Sequence, residues 1–140
     1  MVVLDTDILT HLFAGHERIC GRKVSVPSSD IAITVVTWIE VLRGRFDFLL
    51  KAATAEELQR AQAALDNSIR SLASIETVLP IDAAATAEFD RLLKDKKLKK
   101  IGRGDLLIAA ITLANKATLV TRNRKHFQQV SGLQLENWAD

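Results

Sequence analysis

Three carboxylates draw attention by where they fall. Asp5 ends the apolar run Met1 to Leu4, Glu40 follows the apolar Ile31 and Ile33, and Asp105 stands directly ahead of the apolar stretch Leu106 to Ala117. Acids brought from distant parts of a chain to one cleft repel one another, and a shared proton or a bound cation is the usual remedy. Hard divalent cations take oxygen ligands. Magnesium keeps most of its waters and accepts one or two protein carboxylates, which leaves positions for phosphate oxygens and an attacking water. Asp5, Glu40 and Asp105 are therefore expected to hold Mg2+ or Mn2+ against a phosphodiester. Singly, each has an ordinary explanation: a helix cap for Asp5, a capping-box spacing after Thr37 for Glu40, and a helix-dipole partner for Asp105. Their common placement at strand-to-helix transitions sets them apart. Asp7 is the better placed cap for the first helix, which frees Asp5 for chemistry.

The elements that must position these acids can be read from periodicity. Met1 to Leu4 has the β-branched character of a strand buried on both faces, and a helix from Asp7 through Leu12 and Phe13 closes at Gly15. Asp30 to Thr34 is expected as the next strand, after the turn-like Pro27, Ser28 and Ser29. Helix follows, with Trp38, Val41, Leu42 and Phe46 near a helical period and Gly44 weakening or ending it. Leu58, Ala61, Leu65, Ile69 and Leu72 form the stripe of an amphipathic helix over 55–74. A short strand over 76–80 and a helix over 83–93, with Ala85, Phe89, Leu92 and Leu93 inward, come next. The lysine-rich loop 94–100 runs into Gly102 and Asp105, where a deeply buried helix starts, and strands are expected over 117–121 and 133–135. Alternating strands and helices argue for an open, mostly parallel α/β sheet with its site at the carboxyl ends of the strands.

Composition narrows the class. A chain of 140 residues that is 48% hydrophobic is the size of one ordinary globular domain, spanning 1–140 without a repeat or linker. Nineteen basic against seventeen acidic residues leave +2, too little to announce a nucleic-acid binder from charge alone. Cys20 has no partner for an internal disulfide, and His11, His16 and His126 show no zinc-ligand spacing with it. No signal-like or membrane-spanning run appears, so a cytoplasmic protein is expected.

These residues resemble the PIN domains, and among them the VapC-type toxins of bacterial and archaeal toxin-antitoxin pairs. The opening VVLDTDIL, then ITVVTWIEVLRG, IGRGDLLIAAITLANKATLVTRN and HFQQVSGLQLENW are similar, in order, to the family's motifs. The resemblance implies a three-layer PIN-like fold, with a mostly parallel sheet flanked by helices. It implies that Asp5, Glu40 and Asp105 bind the metal and support hydrolysis of RNA by a metal-activated water. At the family's fourth acidic position this chain has Asn123, which can coordinate a cation or position a water but brings no charge for a second ion. Thr6 is placed to help through its hydroxyl. Also implied are a homodimer, built partly through the helices over 46–74, and a VapB-like antitoxin protein whose segment occludes the acidic site.

Other readings bear on the same residues. Asp5, Thr6 and Asp7 are also similar to the start of haloacid-dehalogenase-like phosphatases, although that leaves Glu40 idle and puts Leu9 where a small residue is usual. A catalytically weak PIN-like binding scaffold is the other alternative, with Asn123 as its footing. The lysines of 94–100 suit either a solvated loop or phosphate contacts that steer RNA. Arg43, Arg45, Arg103, Arg122 and Arg124 lie near motif segments, and a phosphate role and a surface role are equally open to each. His126, next to Phe127, suggests packing or a loop role. The two tryptophans and five phenylalanines suggest core or interface rather than a stacking platform for bases.

Overall fold

The computed structural model describes residues 1–140. In chain order the elements are β1 (Val2–Leu4), α1 (Thr6–Phe13), α2 (Glu17–Val24), β2 (Ile31–Thr34), α3 (Val35–Lys51), α4 (Ala55–Ala73), β3 (Thr77–Leu79), α5 (Ala83–Leu93), α6 (Arg103–Ala114), β4 (Thr118–Val120), α7 (Arg124–Phe127) and β5 (Gln134–Glu136). The five strands run in the order β3-β2-β1-β4-β5, and every pairing is parallel. The expected mostly parallel sheet is thus wholly parallel.

Strand alternation divides the core in two, because successive side chains point to opposite faces. Val3, Ala32 and Leu119 face one way and pack with Leu92, Leu106, Ile108 and Ile111 of α5 and α6. Leu4, Ile31, Ile33 and Val120 face the other way and pack with Ile8, Leu9, Ile19, Val41 and Leu72. Helices therefore cover both faces, and the result has three layers. Strands of three or four residues suffice because those at the centre are buried on both sides, as their unbroken apolar character foretells.

Several local expectations are corrected. Helix α1 begins at Thr6, so Asp5 and not Asp7 is its N-cap. Asp5 has an extended backbone at φ −63° and ψ 156°, and its carboxylate accepts from the Thr6 N–H. Likewise Thr34, not Thr37, caps α3, accepting from the Thr37 N–H at 3.1 Å, so Glu40 lies beyond any capping box. Helix α3 continues through Gly44 to Lys51; one glycine costs a helix interior about 1 kcal/mol, which a long packed helix can absorb. Helix α2 has no counterpart in the pattern above. Only Ile19 of it is buried, so its apolar stripe is too thin to read among Glu17, Arg18, Arg22 and Lys23. Leu58, Ile69 and Leu93 remain about half exposed, as do Trp38 and Phe46. Gly15 does close α1, adopting φ +85° while its N–H donates to the Leu12 carbonyl.

Candidate active site

A sheet ordered 3-2-1-4-5 reverses direction between β1 and β4, and the crevice beyond the carboxyl ends of those two strands is where such folds bind ligands. Asp5 leaves β1 at that point. Its N–H donates to the Val120 carbonyl at 2.9 Å, so the residue is fixed as an extra rung of the β1–β4 ladder. Its carboxylate is clamped from two sides: Oδ1 accepts from the Thr6 N–H and Oδ2 from the Thr121 hydroxyl, each at 2.8 Å. Thr121 follows β4 directly and is fully buried.

Glu40 approaches from the β2 side through a chain of hydroxyls. Thr6 Oγ1 donates to Glu40 Oε1 at 2.8 Å, while Thr6 and Thr37 hydroxyls lie 2.9 Å apart. A hydroxyl has one proton to give, and that of Thr6 is committed to Glu40, so Thr37 donates to Thr6. The chain is therefore directed at Glu40, as suits an ionised carboxylate. Asp105 enters from the other side, in the first turn of α6 as expected. Gly104 beside it shows how near α6 runs to α3: a methyl group placed there would make an ordinary van der Waals contact with Glu40 Oε2, at 3.8 Å.

Asp5 feels the charge of the other two acids. Asp5 is pushed above the usual aspartate range, first by burial and further by the charges of Asp105 and Glu40, against the lowering effect of its bonds to Thr121 and Thr6. Crowded negative charge of this kind is what a cation relieves. No three acidic, histidine or cysteine side chains stand close enough together to hold a metal ion among them. Magnesium needs only one or two carboxylates and completes its shell with water, so this oxygen-only donor set is compatible with it.

The family model described as PIN domain matches residues 2–133. The chain belongs to the PIN domain family. It is 28% identical over 139 residues to Ribonuclease VapC1 of Haemophilus influenzae, with 98% of this chain and 97% of that one covered. Among solved structures, VapBC2 from Rickettsia felis bound to a DNA fragment from their promoter superposes with a TM-score of 0.75 at 29% identity, over 99% of both chains. VapBC-5 of Mycobacterium tuberculosis, described as a member of the VapBC family of toxin-antitoxin systems, shares the fold at a TM-score of 0.61 and 24% identity over 96% of both chains.

In this PIN domain the other candidate residues are distributed unequally. Asn123 lies just after Thr121, to whose hydroxyl its N–H donates at 3.0 Å, and its exposed side chain makes no hydrogen bond. Asp7 turns outward to His11, 3.4 Å from Nδ1, and so does not pair with Asp5 as a phosphatase DxD would require. Arg122 bonds to His11 Nε2 at 3.0 Å, Arg45 donates to Ser68 at 2.8 Å, and Arg103 stacks over Phe89. His126 packs its ring against Phe127, with 5.5 Å between centroids, as its position suggests. Its Nε2 is also buried without a hydrogen-bond partner, 3.6 Å from Asp105 Oδ2. Twenty residues separate the two in sequence, and the approach is made by the short α7 after β4, so no spacing signal could have revealed it.

Proposed function

We propose that this PIN domain is a divalent-metal-dependent endoribonuclease and the toxin of a toxin-antitoxin pair. The observation that carries the proposal is the placing of Asp5, Glu40 and Asp105 at the β1/β4 switch point, close enough that two of them raise the proton affinity of the third. Asp5, Glu40 and Asp105 would hold Mg2+ or Mn2+, with the Asn123 amide as a weak or indirect ligand. When bound, the ion supplies charge that polarises a phosphodiester and lowers the pKa of an attacking water. The chain's own part is to orient. Thr121 and the Thr6 N–H fix both oxygens of Asp5, the hydroxyl chain fixes Glu40, and the Asp105 carboxylate, which accepts no hydrogen bond, is left to receive one from water. No side-chain nucleophile is required.

The relatives named VapC and VapBC support an antitoxin partner of the VapB type that covers the acidic crevice. A homodimer is supported by the half-exposed Trp38, Phe46, Phe48 and Leu50 of α3 with Leu58 and Ile69 of α4, apolar surface of a kind that marks protein contacts. No helix is long and apolar enough to cross a membrane.

The test is cleavage of a mixed pool of structured RNAs by the purified chain with Mg2+ or Mn2+, beside EDTA and Asp105→Asn. Discrete fragments that disappear with chelator and with the variant are expected. Absence of cleavage with either metal, from protein shown to be free of bound antitoxin, would instead favour a binding scaffold, for which Asn123 in place of an acid is the supporting observation.

A further inference from the structure

Beside His126 lies a cavity of about 170 Å3 lined by Lys97, Lys100, Ile101, His126 and Gln129. Two cations and two further polar side chains thus surround one small volume, and no carboxylate lines it. Nearby charges are already matched elsewhere. Lys94 pairs with Asp90 at 3.1 Å and Arg91 with Glu88 at 2.8 Å, while Asp95 accepts from the Lys97 N–H as cap of the short turn Lys96–Leu98. Lys97 and Lys100 form no ion pair. His126 belongs to both places: its buried, unpartnered Nε2 lies 3.6 Å from Asp105 Oδ2, and the residue lines the cavity with the two lysines.

A polyanion approaching three carboxylates meets repulsion unless cations stand close by to hold its neighbouring charges. The placing of free lysines one side chain away from Asp105 meets that need, and the cavity lacks the acids that would oppose an anion. Resting on the ribonuclease reading above, we propose that the Lys97, Lys100, His126 and Gln129 cavity is a phosphate subsite that grips the RNA backbone beside the phosphodiester held at Asp5, Glu40 and Asp105. It steers and anchors the strand without reading bases, since phosphate contacts carry no sequence information of their own.

The test is binding in chelator, where cleavage does not enter. A fluorescently labelled, mixed-sequence single-stranded RNA is titrated with the full chain at several salt concentrations and followed by anisotropy. In a Lys97→Gln, Lys100→Gln double variant, the slope of log affinity against log salt is expected to shrink by about 1.4, two phosphates at about 0.7 each for a single strand. A Lys23→Gln, Lys51→Gln double variant loses the same charge elsewhere and should keep the wild-type slope. With metal restored, the cavity variant should lose more in KM than in kcat. Equal slopes for wild type and cavity variant, equal losses for the two double variants, or no RNA binding in chelator would each overturn the subsite. So would unchanged RNA affinity with weakened binding of poly-glutamate, which would assign the cavity to acidic protein segments. The expected slope difference between wild type and cavity variant, with no cleavage by wild type under either metal, would sink the nuclease reading and leave the subsite standing.

Discussion

The two flanks of the acidic crevice are built differently. On the β2 side, Glu40 is held by Thr6, and Thr6 by Thr37, which is itself fully buried. On the β4 side, Asp105 accepts no hydrogen bond, the Asn123 side chain is free, and His126 Nε2 is buried without a partner. Buried polar groups are normally satisfied, and one left open points to something the protein alone does not supply. One flank is satisfied within the protein, and on the metal-centre reading the open flank is the side on which ion, water and phosphate would complete the bonding.

The strongest way to break this comparison is to remove charge from each flank in turn. Glu40→Gln and Asp105→Asn should each lower cleavage by at least about a hundredfold, because a lost ligand costs no less than a lost supporting partner. Initial rates at saturating metal would show it. Equal retention of activity in both would end the metal-centre reading.

Next in size is the hydroxyl chain. Thr6→Val deletes the donor to Glu40 and strands the Thr37 proton, so cleavage should fall about tenfold and stability by about 1 kcal/mol. Thr6→Ser should restore both, as measured by metal-dependent rates and thermal unfolding. On the open flank, Asn123→Asp adds a charge where the side chain has no partner, and the metal concentration for half-maximal cleavage should fall several-fold. A rise would place Asn123 outside the ion's reach.

The smallest effect concerns stability. Folding raises the proton affinity of Asp5 above its ordinary value of 3.8, so the native state binds more protons than the unfolded chain between that value and the raised one. Stability in chelator should therefore decline as pH rises through that window, and above it ionised Asp5 is a net burden. Asp5→Asn removes the burden, while the hydrogen bond that the Thr121 hydroxyl donates to the carboxylate is weakened or lost. Its melting temperature in EDTA at neutral pH should exceed that of wild type, even though cleavage is lost. A variant that melts lower would show that the Thr121 and Thr6 bonds outweigh burial.

Sequence alone carried the outline. The apolar runs around Val3, Ile33 and Leu119 read as buried strands because a central strand in a parallel sheet is apolar on both faces, and Asp5, Glu40 and Asp105 were legible as acids closing or following such runs. Short-range rules misplaced the caps, since Asp7 and Thr37 are as suitable chemically as Asp5 and Thr34 and the choice depends on where each strand ends. Helix α2 escaped notice because one buried side chain makes no periodic stripe. What tertiary structure alone decided is the company each acid keeps. Strand order brings Thr121 onto Asp5 across 116 residues, α3 brings Glu40 onto Thr6, and α7 brings His126 onto Asp105. Periodicity reports which face of an element is buried, whereas these contacts depend on which elements become neighbours, and that follows from the packing of the whole sheet.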